Sequence, residues 1–466
     1  MSAANAGSVT LYSSAMAADV SAIALRPARV HWKIFSSIVA CVGPAMTLVG
    51  LGYPYAGAVY VIAALACFLG YRIVMRDHYG FMCIGLGAVP VLALLRGLFA
   101  YNSCIFIFIA GILLWLSQAP EELKKTFRDR IILTFFLLAV VYWWLSYLNT
   151  GEYANNLRLV ELVLAAIALK LLSARRSYLA TAFMGLALST SAIALGMLPH
   201  SDIRLGAADI EGTHLGNPIE LGVPAVFVLL LILSDRGQWL FLERRFWTRV
   251  FLAVVTGEWL ILSGSRGAWL AALAAIAVLM LLNRGDRRLI VVLGVGMVVV
   301  TGLALTTPLG EKIQSQYDKT LDSDRTLVNR TSGRSAQWAA IPLAFGESPV
   351  WGWGPGTGRK VVAYYTGRTL NWHALYLHIA AETGSIGLTA LFGLLIAIGR
   401  RTIRNFLSFG EIAPILALIV YAFLGFSVSA FDANCGILLG MAMMGADFAP
   451  RYQLVETTVR GLEPAI

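Results

Sequence analysis

Four residues could do chemistry because each stands at a polar break or at the edge of an apolar segment: Arg204, Arg266, Arg334 and His373. Guanidinium groups bind phosphate oxygens bidentately, and a neutral imidazole can accept a proton near pH 7. These residue types therefore fit a ligand that carries a phosphate or pyrophosphate, together with a proton transfer. The fold must bring them together, since they are far apart in the sequence.

The composition indicates that the fold is built in lipid. The chain has 466 residues, of which 58% are apolar and 13% charged, and its mean hydropathy is +0.73. Soluble proteins carry about a quarter charged residues, so this composition excludes an ordinary soluble enzyme. The apolar residues form long continuous runs without heptads, which excludes a coiled coil and the alternating pattern of a β-barrel.

The apolar runs predict an all-α polytopic membrane protein. A spanning helix needs about 20 mostly apolar residues. The sequence predicts twelve to fourteen transmembrane helices, some of them short enough to be half-helices, in blocks 33–52, 56–74, 79–95, 101–117, 130–149, 157–173, 177–198, 218–234, 247–264, 267–283, 288–306, 373–399, 411–428 and 430–447.

The short loops orient these helices. Lysines and arginines recur in alternate loops, for example Lys124–Arg130, Arg284–Arg288 and Arg400–Arg404, and such loops favour the cytoplasm. We therefore expect a cytoplasmic lead (1–32), helices in 33–306 with a short periplasmic loop at 199–217, a long periplasmic loop (307–372), further helices in 373–448 and a cytoplasmic tail (449–466). About half of the net charge of +10 is then an orientation signal.

The long loop 307–372 carries cations that orientation does not explain. It holds eight Lys and Arg against five acids, and long loops in compact proteins are commonly functional. Residues 332–344 have helical apolar spacing, which places Arg334 and Trp338 on one helix face. The Gly/Pro/Trp-rich segment 349–358 predicts turns in place of regular helix.

Simpler explanations exist for each of these residues. A tryptophan near a membrane boundary is often part of an interfacial belt, and an arginine there often extends its charge to the interface. A histidine near a helix end is often solvated. His378 and Glu382 follow His373 at intervals of five and four, roughly on one side of the predicted helix.

Cofactor motifs do not occur in the sequence. The five cysteines all lie in apolar blocks without CxxC spacing, and no GxxxxGK[ST] or HExxH motif is present. We therefore expect no metal, no cofactor, no nucleotide and no nucleic acid.

An ordered set of motifs resembles the O-antigen ligase family, within the superfamily of ligases and polymerases that share its C-terminal half. The resemblance covers motifs between residues 200 and 390: Gly216-Asn-Pro218, Ser263-Gly-Ser-Arg-Gly-Ala-Trp269, Arg334 with Trp338, Gly352-Trp-Gly354, His373 with Tyr376 and Leu377, and Glu382-Thr-Gly384.

This resemblance implies a glycosyltransferase of lipopolysaccharide biosynthesis in the bacterial inner membrane. Members of the family transfer a glycan from undecaprenyl pyrophosphate to a terminal sugar of lipid A–core on the periplasmic face. The resemblance implies an inverting reaction without a metal, about twelve spans, and three partners: undecaprenyl-pyrophosphate-linked O-antigen, the lipid A–core acceptor and membrane lipids.

The resemblance also implies roles for individual residues. His373 is expected to deprotonate the acceptor hydroxyl, and Arg204, Arg266 and Arg334 to bind the pyrophosphate. Arg325 and Arg330 are substitutes, because the loop has no unique alignment. The motif residues Trp338, Tyr376 and Glu382 are expected to bind substrate. One departure is Ala374, which stands where many relatives have asparagine; it keeps the base and removes a neighbouring amide.

Other functions compete with this interpretation. An O-antigen polymerase and a protein O-oligosaccharyltransferase of the same superfamily share the donor and the long loop. A lipid or anion transporter could use the arginines as an anion pathway, but transporters show broken helices in both halves of the chain. Here the polar breaks concentrate in one half.

Overall fold

The computed structural model is helical almost throughout. It describes residues 30–95, 98, 103–151, 157–197, 209–210, 213–214, 218–234, 239–242, 245–282, 288–292, 294–295, 334–367, 374–427 and 431–444, with the backbone alone at some positions, 334–337 among them. The strands in this part form one antiparallel pair, β1 (Asp209–Ile210) and β2 (Thr213–His214).

Apart from Pro120–Arg128, Arg334–Glu347 and Gly358–Thr366, the helices coincide with predicted apolar blocks, of which block 288–306 is described only in part. Their bounds are α1 (Trp32–Gly50), α2 (Pro54–Val74), α3 (His78–Leu94), α4 (Ser103–Gln118), α5 (Pro120–Arg128), α6 (Arg130–Thr150), α7 (Leu157–Leu172), α8 (Arg176–Met197), α9 (Pro218–Leu233), α10 (Phe246–Leu262), α11 (Arg266–Leu281), α12 (Arg334–Glu347), α13 (Gly358–Thr366), α14 (Leu375–Phe409), α15 (Ala413–Leu424) and α16 (Ala433–Met443).

Five of the described helices are long and apolar enough to cross a membrane: α1, α2, α6, α8 and α14. A sixth candidate combines α4 and α5, which meet at a bend of 110°. The all-helical fold class is thus confirmed, whereas a count of about twelve spans stays a prediction. Several apolar helices, such as α15 and α16, are shorter than a full span in the described part.

Two short helices, α3 and α16, form the centre of the bundle. Every residue of α16 is buried, as is every residue of α3 after His78. A helix that is apolar on all sides belongs in the interior of a bundle. Gly436 and Gly440 of α16 allow close packing on α7, where a Cβ added to Gly440 would lie 3.0 Å from the Ala166 Cα.

Helices α6 and α14 run antiparallel and are joined at one end by an ion pair. Arg401 of α14 donates to Asp129, the N-cap of α6, with Nη2 2.6 Å from Oδ1. Lys170 of α7 lies 3.8 Å from the same carboxylate and donates to Met444 O at 3.0 Å. Two groups of cations that the sequence places on one side, Lys124–Arg130 and Arg400–Arg404, therefore lie at the same end of this helix pair.

The Asp129 ion pair should stabilise the folded protein in a pH-dependent way. Burial raises the pKa of Asp129, but the hydrogen bonds and charge of Arg401 and the charge of Lys170 outweigh it, so the pKa is lowered overall. A lowered folded-state pKa stabilises the protein above the unfolded value of about 3.9, and this contribution is lost as the pH falls through the folded value. Asp129→Asn keeps a good N-cap residue and removes the charge.

We expect Asp129→Asn to lower the free energy of unfolding by about 1–3 kcal/mol at neutral pH. This is less than the loss of a fully buried pair because the Arg401 side chain stays 25% exposed. Thermal unfolding of purified protein in detergent at pH 7 and below pH 4 measures the effect. The difference between wild type and variant should shrink at the acidic pH, and a difference independent of pH would contradict the assignment.

Candidate functional site

The structure describes some of the predicted site residues and not others. Arg204, Arg325, Arg330 and His373 lie outside the described residues, and Arg334 is described by its helical backbone alone. Arg266, Trp338, Tyr376 and Glu382 are described in full. The residues around them show which motifs meet.

The Ser263–Gly267 motif forms a tight turn between α10 and α11. Gly264 has φ of 61°, a conformation that favours glycine, and Ser265 caps α11 by accepting from Ala268 N at 3.4 Å. Arg266 is the first residue of α11 and is half-buried. The polar residues 263–267, which interrupt the apolar sequence, therefore form a turn between two helices. This turn places Arg266 at the N-terminus of α11.

Helix α9 begins beside this turn. A Cβ added to Gly222 of α9 would lie 2.9 Å from the Ala268 Cβ and 3.2 Å from the Ser265 Cβ. The glycine thus permits close packing of α9 on the turn. The start of α9, which follows Gly216-Asn-Pro218 in the chain, and the Ser263–Gly267 motif are neighbours in the fold.

The same turn lies beside the start of α14, through the end of α15. A Cβ added to Gly267 would collide with the Ser427 hydroxyl. Gly425, two residues before Ser427, accepts a hydrogen bond at its carbonyl oxygen from Leu375 N at 2.7 Å. Leu375 is the first residue of α14. Residues 425–427 therefore bridge the Arg266 turn and the helix end that directly follows His373 in the chain.

Tyr376 holds this end of α14 in place. Its hydroxyl donates to Ala422 O at 2.8 Å, and its ring stacks on Phe392 with centroids 5.5 Å apart. The ring also contacts Phe426 at 4.8 Å. The phenol is thus engaged with the protein at the start of α14.

Helix α14 is broken at Gly384, where a loop enters the helix. Gly384 has φ of 60° and ψ of −155°, a conformation that glycine alone adopts readily. In a regular helix, Ser385 N would donate to Ala381 O, and Ile386 N to Glu382 O. The loop 349–354 takes over all four groups, through Ser385 N to Pro349 O (2.8 Å), Ile386 N to Val350 O (3.3 Å), Trp353 N to Ala381 O (2.9 Å) and Gly354 N to Glu382 O (2.8 Å).

These four hydrogen bonds give partners to the N–H and C=O groups of α14 that the break leaves without helical partners. Unpaired N–H and C=O groups at membrane depth are costly, so irregular backbone there needs partners in the protein. The close approach depends on glycine at two positions: a Cβ on Gly384 would lie 2.7 Å from Gly352 N, and a Cβ on Gly352 would collide with the Glu382 and Thr383 backbone. The motifs Gly352-Trp-Gly354 and Glu382-Thr-Gly384 therefore form one unit.

The Glu382 side chain contacts the turn that follows this loop and is 1% exposed. Its carboxylate accepts from Gly356 N and from Gly358 N, both at 2.7 Å. His378 Nε2 donates to Oε1 at 2.9 Å, and the Tyr142 hydroxyl donates to Oε2. A buried carboxylate is stable when its oxygens are paired in this way.

Sequence analysis did not identify Tyr142, which belongs to a polar stripe on α6. Tyr142, Ser146 and Asn149 stand at i, i+4 and i+7 and therefore share one helix face. Asn149 Nδ2 donates to Pro355 O at 3.3 Å, and a Cβ on Gly356 would collide with the Ser146 hydroxyl. This spacing within an apolar helix was the signal that could have located the face.

Helices α12 and α13 pack on the first half of α14. Their small core consists of Ala340, Ile341, Ala344, Val361, Val362 and Ala381, with Trp353, Tyr365 and Leu377 against it. The Trp353 indole donates to Ala344 O at 3.0 Å. The predicted helix at 332–344 is thus found as α12, and Trp338 on it is 46% exposed. The exposed ring is open to a ligand or to lipid.

The arrangement favours an anion near Arg266. The N-terminal end of α11 carries a partial positive charge, so a cation there is unfavourable for the helix itself. The same cation and helix end together attract an anion, and a phosphate group matches both. Arg266, the turns beside it and the start of α14 thus form a setting suited to a phosphorylated ligand.

The comparison with known families agrees with these motifs. Residues 251–392 match the family model Wzy_C, described as O-antigen ligase. The matched segment runs from α10 to the first half of α14, and so includes Arg266, Arg334, His373 and Glu382 and leaves out Arg204. No curated protein sequence matches the chain. The chain is therefore a multi-pass membrane protein whose residues 251–392 match the O-antigen ligase family.

Proposed function

We propose that the protein transfers O-antigen polysaccharide from undecaprenyl pyrophosphate to a sugar hydroxyl of lipid A–core on the periplasmic face of the inner membrane. The observation that carries the proposal is the meeting of the family's motifs around the first half of α14. Four separate parts of the chain contribute to this region: the α9 start, the Arg266 turn, the 349–358 loop and the α14 start.

The proposed chemistry is an inverting displacement at the anomeric carbon. The acceptor hydroxyl attacks this carbon, the bond to the pyrophosphate oxygen breaks, and the hydroxyl proton passes to His373. Arg204, Arg266 and Arg334, or Arg325 and Arg330 in their place, stabilise the charge that develops on the pyrophosphate. The proposal needs no metal, and transfer that persists in the presence of a chelator is the corresponding expectation.

The arginines should contribute mainly to donor binding. We expect Arg266→Ala and Arg334→Ala each to weaken donor binding about 10- to 100-fold, since a hydrogen bond to a charged group contributes about 1.5–3 kcal/mol. Lysine should rescue poorly because it lacks the bidentate geometry of arginine. Titration of purified protein with a lipid-pyrophosphate donor measures this affinity.

Arg404→Ala is a matched control for these variants, because Arg404 is exposed at the opposite end of α14. Its donor affinity should equal that of the wild type. Equal loss in Arg404→Ala and Arg266→Ala would show that general charge, and not a site at the α11 start, attracts the donor.

A polymerase of the same superfamily is the second candidate, because the family match covers only the C-terminal part that ligases and polymerases share. A protein O-oligosaccharyltransferase differs in its acceptor alone. These candidates use the same donor, so only the product distinguishes them.

A deletion strain separates the candidates. Loss of a ligase should leave lipopolysaccharide as bare lipid A–core, while polymerised glycan accumulates on its lipid carrier. Core that carries a single repeat unit would instead indicate a polymerase, and a normal lipopolysaccharide ladder with loss of protein glycosylation would indicate the oligosaccharyltransferase. Complementation with wild type and with Arg404→Ala serves as the control.

A further inference from the structure

Glu382 caps a helix to which it does not belong. Its two carboxylate oxygens accept from Gly356 N and Gly358 N, and Gly358 is the first residue of α13. Thr357, the N-cap position of α13, makes no side-chain capping bond, and its hydroxyl donates instead to Gly354 O at 2.6 Å. A carboxylate at a helix N-terminus satisfies its N–H groups and matches its dipole. α14 thus supplies the cap that α13 lacks.

The remaining acceptor positions of this carboxylate are also used within the protein. Tyr142 of α6 and His378 of α14 complete a set of four donors, and the side chain is 1% exposed. An ionised carboxylate has about four lone-pair positions. The contacts are therefore those of a group that holds three helices together, with little capacity left for a substrate hydroxyl.

We propose that Glu382 is a positioning residue, which fixes α13 and the 352–358 turn against the broken part of α14; its effect on turnover rests on the proposed glycosyl transfer. Capping sets the start of α13, and α12 packs on α13 and α14 through Ala344, Val361 and Ala381. Glu382 thereby fixes the described ends of the connection between α13 and α14, Gly367 and Ala374. The geometry at the start of α14 depends on these contacts.

Glutamine is the sharpest replacement because it has nearly the same shape. Its side chain has one acceptor oxygen and one NH₂ donor, so the NH₂ must face one of the two backbone N–H groups that Glu382 now accepts. Tyr142→Phe is a milder variant that keeps the carboxylate and both backbone bonds. Glu121→Gln, at an exposed position paired with Lys124 on α5, is the matched control.

The experiment measures hydrogen exchange of the full-length protein in detergent without substrate, together with donor affinity and kcat. For Glu382→Gln we expect amide protection in 356–366 to fall at least about tenfold and kcat to fall at least about tenfold, while donor Kd stays within about twofold. Tyr142→Phe should change protection and kcat in the same direction by about two- to fivefold. Glu121→Gln should match the wild type.

Three outcomes would overturn the proposal. Unchanged protection with a loss of kcat or of donor affinity would mean that Glu382 acts on the substrate directly. Lowered protection with unchanged kcat would mean that the cap has no part in turnover. If Glu382→Gln fails to fold, Tyr142→Phe provides the test: unchanged amide protection and unchanged kcat in this variant would also overturn the proposal. Failure of the proposed function is distinguishable, because wild type would then show no transfer while the exchange results on the cap still hold.

Discussion

Replacement of His373 by alanine should lower the rate of glycan transfer by about 10²–10⁴-fold while the donor still binds. The sequence places this histidine two residues before α14, and Leu375 N is anchored to Gly425 O beside the Arg266 turn. General base catalysis contributes about this factor, because the acceptor hydroxyl then loses the group that takes its proton. The donor pyrophosphate is bound by arginines in the proposal and should be unaffected.

Single-turnover transfer and donor titration on the same purified protein separate the two steps. His373→Ala should lower the transfer rate and leave donor Kd within about twofold, in contrast to the arginine variants. A His373→Ala protein with full activity would remove this residue as the base. A variant with weakened donor binding and an unchanged rate for bound donor would instead make it a pyrophosphate ligand.

The positions of the helices followed from the sequence because apolar blocks of sufficient length have few alternatives in lipid. The break in α14 did not. Gly384 lies in an apolar run that continues as a helix on both sides, and a single glycine is commonly tolerated in a helix interior. The break depends on four hydrogen bonds to a loop about 30 residues earlier in the chain, and such a tertiary exchange leaves no local pattern.

The candidate site, like the fold, could be predicted from the sequence only in part. The motifs and their order were visible in the sequence, and so were the residue types that fit a phosphate. Which motifs touch was not visible: the pairing of Gly352 with Gly384 and the bridge from Gly267 to Ser427 are contacts between distant segments. Glu382 was assigned to substrate binding by resemblance. Its contacts with Gly356, Gly358 and Tyr142 become visible only in three dimensions.

Gly384→Ala should disrupt the loop insertion and abolish most of the transfer activity. Alanine at φ of 60° and ψ of −155° costs about 1–3 kcal/mol, and its Cβ would also collide with the Val350 carbonyl. A straight helix relieves both costs, since Ser385 N and Ile386 N can return to Ala381 O and Glu382 O. The loop 349–354 would then lose the partners of its four hydrogen bonds. The turn that contacts the Glu382 carboxylate would no longer be held in position.

Gly393→Ala provides the matched control on the same helix. An added Cβ at Gly393 meets nothing within 4 Å, and alanine should stabilise a helix interior by about 0.5–1 kcal/mol. Hydrogen exchange should therefore show lost protection in 349–354 and gained protection at 385–386 for Gly384→Ala alone, with transfer lowered at least about tenfold, the factor that corresponds to about 1.4 kcal/mol. If Gly384→Ala retained both loop protection and activity, the broken helix would have no part in the site. If Gly393→Ala lost activity equally, the rigidity of α14 as a whole, and not its break, would be the requirement.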